Sequence, residues 1–201
     1  MDTDYQQYIT GVILAGGRAV RMGGQDKGLV DLNDRKMIEY VIDALRPQVA
    51  SLFINANRHQ TEYAHLGQCP VIADNYGNYE GPLAGMLSGL HNAQTDYVLF
   101  VPCDSPLLTS SLAQRLYSAL VQNQADISIA SDNQRLQPVF VLIKRDLLTA
   151  LRQFLANGER KVERWYASQA VITVDFSDVP DTFLNINTPE EKQTLLHRLQ
   201  Q

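Results

Sequence analysis

An apolar run over residues 9–14 breaks into Gly16 and Gly17. The chain then carries Arg18, Arg21, Gly23, Gly24 and Lys27 within a few residues. The run suits a buried strand, and the segment of glycines and cations after it constrains the chain more than any other stretch. Glycine lets backbone N–H groups face a ligand with no side chain in the way. Consecutive N–H groups of this kind form an anion-binding concavity, to which the three cations add charge. The stretch predicts a loop that holds the phosphates of a nucleotide; a glycine-rich surface turn is the competing reading. Lys27 is followed by Gly28, so there is no G-x-x-x-x-G-K-[ST], and no G-x-G-x-x-G follows the strand. By motif the chain is neither a P-loop hydrolase nor a dinucleotide-binding dehydrogenase.

At 201 residues the expectation is one domain with a sizeable core, over 1–201, its first seven residues loose. A net charge of −5 gives no general attraction to nucleic acid, so the cations that matter must be local. No apolar run approaches the ~18 residues of a membrane span. The start, Met1-Asp2-Thr3-Asp4, lacks the basic-then-apolar order of a secretory signal, which predicts a cytoplasmic protein with no membrane partner. Cys69 and Cys103 are too few and too far apart for a disulfide framework or a zinc site. Cys103 reads either as a nucleophile or as small buried filler. The four histidines show no ligand spacing.

Apolar spacing and turn residues predict strands over 9–14, 51–55, 70–73, 97–101, 127–130, 139–143 and 171–174. Helices are expected from Met37 to Leu45, stopped by Pro47, and from Pro82 at a first helical position. A third covers Leu112 to Leu120, capped by Thr109 or Ser110, and a fourth runs from a cap at Asp146 through Leu155. A turn or two is expected over 161–167, and a last helix opens at Thr188-Pro189. The segment Asn57-Arg58-His59-Gln60-Thr61 reads as a polar turn. Strand and helix alternate through the first 125 residues or so, which predicts an α/β fold: a mostly parallel sheet in a three-layer α/β/α arrangement. In such sheets the site lies beyond the carboxyl ends of the strands. The glycine loop, Asn55, Asp74 and Asp104 each fall at one of those ends.

Asp104, in Pro102-Cys103-Asp104-Ser105-Pro106, follows the most apolar strand directly. A carboxylate there suits a hard cation such as Mg²⁺, which takes one or two carboxylates plus phosphate oxygens; the alternative is a turn or cap residue between two prolines. Asp74 and Asn55 read either as strand-end turn residues or as polar partners for ribose and base. Arg160 and Lys161 read as a site for a second anionic substrate or as a solvated basic turn. Asn185 and Asn187 flank Ile186 and share a side if extended. They could face the crevice, with Asn187 offering an amide oxygen to the metal, or serve as turn residues before a helix.

Leu14-Ala15-Gly16-Gly17, Arg21-Met22-Gly23-Gly24, Asp26-Lys27 and the Pro102-Cys103-Asp104 strand end resemble the molybdenum cofactor guanylyltransferases, nucleotidyltransferases with a glycosyltransferase A-like, Rossmann-like fold. The resemblance continues through Asn55-Ala56-Asn57-Arg58-His59-Gln60, Gly81-Pro82-Leu83-Ala84-Gly85-Met86, Gly158-Glu159-Arg160, Val174-Asp175-Phe176-Ser177-Asp178 and Asn185-Ile186-Asn187-Thr188-Pro189-Glu190-Glu191. Gly16-Gly17 is similar to the guanine-using branch; cytidine-using relatives typically carry Leu-Ala-Ala-Gly there. One departure is that many relatives have a serine before Arg-Met-Gly, where this chain has Ala19-Val20. Backbone N–H groups would have to replace that hydroxyl.

The resemblance implies transfer of GMP from GTP to the terminal phosphate of molybdopterin bearing molybdenum, with release of pyrophosphate. It implies nucleotide contacts from Leu14, Ala15, Gly16, Gly17, Lys27, Asn55, Asp74 and Asp104, with Mg²⁺ on Asp104. Arg21, Lys27 and Asp104 are the expected catalytic charges, and Arg160, Asn185 and Asn187 the candidates for the pterin substrate. By family analogy, delivery of the pterin implies transient contacts with cofactor-biosynthesis proteins or acceptor molybdoenzymes. The alternatives are a related cytidylyl or sugar-phosphate nucleotidyltransferase, and a non-catalytic GTP-binding regulatory module.

Overall fold

In the computed structural model, the residues described are 4–16, 26–74, 81–132 and 134–185. The expected closing helix at Thr188, and the site candidates Gly17, Arg21 and Asn187, lie outside them.

Strand β1 (Ile9–Leu14) is an interior strand, third from one edge, of a seven-stranded sheet. On one side lie β4 (Ser51–Asn55) and β5 (Val71–Ile72). On the other lie β6 (Tyr97–Pro102), β8 (Leu136–Lys144), β7 (Ile127–Ser131) and β9 (Val171–Asp175), giving the order β5-β4-β1-β6-β8-β7-β9. The chain moves outward from β1 through β4 to β5. Helix α3 (Pro82–Asn92) then carries it back to β6, on the opposite flank of β1. That reversal opens a crevice beyond the carboxyl ends of β1 and β6.

Every pairing is parallel except those of β8, which runs against both β6 and β7. The mostly parallel sheet expected from the sequence is present, with this one reversed strand. A small antiparallel hairpin, β2 (Asp31–Leu32) with β3 (Arg35–Lys36), precedes helix α1 (Met37–Leu45) and was not foreseen. Asn33 and Asp34 both take positive φ, 53° and 62°, as a two-residue hairpin turn requires.

Side chains on the sheet alternate between two cores. Ile9, Ile13, Leu99 and Val101 pack with α1, with α2 (Gln60–Gly67) and with α4 (Leu112–Gln122). Val12, Val98 and Phe100 pack with α3, with α5 (Leu148–Ala156) and with α6 (Val162–Tyr166). Helices therefore cover both faces, which is why β1 and β6 are apolar without a polar side.

Three expectations need correction. The stretch read as a polar turn over 57–61 becomes helix α2 from Gln60; only its Tyr63 and Gly67 are buried, so its apolar face is too narrow to register as a period. The cap of α4 is Ser111, with Thr109 Oγ1 accepting from the Ser111 N–H at 3.4 Å. Asp146 caps nothing: it lies inside a 3-10 turn, Arg145–Leu147, and Leu147 holds the position before α5.

Candidate active site

Three strand ends meet at the crevice. Leu14, the last residue of β1, is in register with Asn55 on one flank and Pro102 on the other. The Ala15 N–H donates to the Asn55 carbonyl at 2.8 Å, and the Cys103 N–H donates to the Leu14 carbonyl at 3.2 Å. Asp104 thus lies on the same rim as the end of β1, where the glycine-rich segment begins. Two strand spacings separate the β4 and β6 ends, about 10 Å.

On the β6 flank, Lys27 Nζ donates to Asp104 Oδ2 at 2.8 Å; the Asp104 side chain is 8% exposed and that of Lys27 36%. Ser105, fully buried, donates its hydroxyl to Asn185 Oδ1 at 2.6 Å, so Asn185 is brought beside the residue after Asp104. Cys103 is buried, and burial with the carboxylates of Asp104 and Asp26 pushes its thiol pKa far up. Its burial makes it packing within the core.

On the β4 flank, a polar network surrounds Asp74. Asn55 Nδ2 donates to Asp74 Oδ1 at 2.9 Å and Asn57 Nδ2 donates to Oδ2 at 2.8 Å. The Ser88 hydroxyl on α3 donates to Oδ1 at 3.3 Å, and the Asp74 N–H donates to Asn57 Oδ1 at 2.8 Å. Asn57 and Ser88 were missed from sequence. Asn57 sits two residues after Asn55, the spacing that keeps a strand's side chains on one side; nothing local marks Ser88.

Helix α3 fits against this network because Gly85 has no side chain. A Cβ there would lie 2.4 Å from Asn55 Oδ1 and 2.8 Å from Leu14 Cδ2. Gly85→Ala is therefore expected to cost ~1–3 kcal/mol by overpacking, read as a lower urea midpoint. An unchanged midpoint would show that the helix can move aside freely.

Arg160 has a local structural use: its guanidinium donates to the carbonyls of Leu155, at 2.8 Å, and Glu159, at 2.6 Å, beyond the last turn of α5. Neither bond reaches the strand-end residues. Lys161 is exposed, at the position before α6. Among the described residues, no three His, Cys, Asp or Glu side chains gather as a metal cluster.

A profile of the MobA-like NTP transferase domain matches residues 11–172. The chain belongs to the MobA-like NTP transferase family. A molybdenum cofactor guanylyltransferase from Shewanella loihica is 51% identical over 187 residues, covering 93% of this chain and 95% of that protein. One from Shewanella sp. strain MR-4 is 48% identical over 193 residues, covering 96% and 98%. Among solved structures, molybdopterin-guanine dinucleotide biosynthesis protein A from Archaeoglobus fulgidus superposes with a TM-score of 0.78 at 20% identity, covering 95% of this chain and 98% of that one. The MobA-like match takes in both flanks of the crevice, from the bend after β1 to Asp104. The nucleotidyltransferase fold expected from the resemblance is the fold observed.

Proposed function

We infer that this protein is a molybdenum cofactor guanylyltransferase, transferring GMP from GTP to the terminal phosphate of molybdenum-bearing molybdopterin and releasing pyrophosphate. The observation that carries the reading is the ion pair of Lys27 with Asp104 near the ends of β1 and β6, in a chain about half identical over nearly its full length to proteins of that name.

The nucleophile is a phosphate monoester, whose second pKa is near ~6, so it arrives mostly dianionic at neutral pH. It needs no strong base. The barrier is the approach of one anion to another, and the protein's contribution is charge and position. In this reading Lys27 and Arg21, with the N–H groups of Gly16 and Gly17 beyond the paired end of β1, hold the triphosphate and offset charge on the departing pyrophosphate. The carbonyl and N–H groups around Asn55 and the carboxylate of Asp74, fixed by Asn55 and Asn57, suit ribose and base. Asn185, next to Ser105, and Arg160 and Asn187 are the proposed contacts to the pterin substrate.

Asp104 fits a hard divalent cation: it is buried, lies two residues past the end of β6, and engages Lys27 through Oδ2 alone among the described residues. Mg²⁺ accepts one carboxylate with phosphates and water completing its shell, and when bound it would neutralise phosphate charge. No helix among the described residues is long and apolar enough to cross a membrane. The same proposal sets the protein in the cytoplasm and extends to transient contacts with cofactor-biosynthesis proteins or acceptor molybdoenzymes.

The test is to mix purified protein with GTP, Mg²⁺ and molybdenum-bearing molybdopterin and follow products by mass spectrometry. Guanine dinucleotide and pyrophosphate in equal amounts are expected, with GTP displacing CTP in competition. Cytidine dinucleotide would favour the cytidylyl alternative. GTP binding with no pyrophosphate release would favour a regulatory module.

A further inference from the structure

We propose that Tyr63 of α2, acting through Asp26, is a positioning residue that holds Lys27 against Asp104. The inference rests on the guanylyltransferase reading above, and it assigns work to a helix outside the phosphate-binding stretch.

Tyr63 is fully buried, and Asp26 is only 6% exposed. The phenol donates to Asp26 Oδ1 at 2.6 Å, across 37 residues of sequence. A buried carboxylate must find a donor or suffer a large desolvation cost, and the short distance is that of a charge-assisted bond. Asp26 occupies the position before the 3-10 turn Lys27–Leu29, yet its side chain makes no cap bond to that turn. Its carboxylate is engaged with α2 instead. Burial, followed by Cys103 and Asp26, drives the phenol pKa far above its usual value, so the hydroxyl remains a donor.

A second contact fixes the same turn. A Cβ on Gly28 would lie 2.8 Å from the Tyr63 hydroxyl oxygen, 3.2 Å from its ring and 3.3 Å from Cys103 Cβ. The backbone of Gly28 is therefore packed closely against the phenol and against Cys103, the residue preceding Asp104. Lys27 sits between two immobilised neighbours, with Nζ 2.8 Å from Asp104 Oδ2. A lysine has a long, rotamer-rich side chain. Fixing its root narrows where the ammonium can go, and transition-state contacts depend on such placement.

The test is a double-mutant cycle on the full chain, with Tyr63→Phe and Lys27→Ala made singly and together and kcat/KM measured for GTP. A residue that acts through Lys27 loses its effect once Lys27 is gone, whereas a residue that only supports the fold costs the same in both backgrounds. We expect Tyr63→Phe to lower kcat/KM about tenfold in the native background and by less than about twofold in the Lys27→Ala background. Equal losses in both backgrounds, or no loss in the native one, would overturn the proposal. If Tyr63→Phe does not fold, Asp26→Ala takes its place in the same cycle with the same expected pattern. Should the wild type bind GTP but form no dinucleotide, the functional reading falls, and the cycle read as GTP affinity still decides the positioning role. No GTP binding by the wild type would overturn both.

Discussion

Lys27→Ala and Asp104→Ala each lower turnover by at least ~10²-fold, the scale of removing one charge contact made to the transition state. The reaction drives a phosphate dianion onto a nucleotide phosphate. Lys27 is the described cation within 2.8 Å of Asp104, on the rim where β1 and β6 end together. Removing Lys27 leaves a buried carboxylate without its counter-charge; removing Asp104 takes away the carboxylate proposed to hold the metal. Steady-state rates at saturating GTP, alongside melting curves, check the pair. Near-normal rates in both variants with the fold intact would refute the assignment of the site.

Phe100→Ala is expected to cost ~3–5 kcal/mol of stability, the usual loss for truncating a large buried aromatic side chain. For a chain of this size that is a fall in melting temperature of about 6–20 °C. Phe100 is fully buried in the middle of β6. Its ring rests on Gly89 of α3 so closely that a Cβ on that glycine would lie 2.5 Å from it. Asp104 lies four residues further on, two past the end of this strand, so the ring anchors the element that leads into the carboxylate. Differential scanning calorimetry reads the loss. A shift of only a degree or two would mean that α3 and the sheet close over the gap.

The strand ends that build the crevice were legible because each apolar run stops at a polar or glycine residue: β1 and β4 have the expected bounds, and β6 the expected start with one residue more at its end. Helix α2 was not legible. It begins after His59, in a left-handed conformation with no side-chain cap, and few of its residues face the core. Consequently Tyr63 could not be connected with Asp26 from sequence, although both are buried beside the site. The reversed direction of β8 had an unused signal: even the expected strands, 127–130 and 139–143, leave eight residues between them, fewer than the dozen or so that a crossover to a parallel neighbour needs. Arg160 illustrates a different limit. Beside Lys161 it reads either as a site for a second anionic substrate or as a basic turn, and in the structure its guanidinium also donates to the Leu155 carbonyl in the last turn of α5 and to the carbonyl of its neighbour Glu159. No sequence pattern separates those two uses.

The most direct measurement is a crystal structure with GTP and a divalent cation. The triphosphate should lie along the backbone from Leu14 toward Lys27, with the cation on Asp104 and the base toward Asn55 and Asp74. Nucleotide density instead in the cleft lined by Asp96, Tyr97, Lys144 and Arg145, at the rim where β6 begins, would contradict the account.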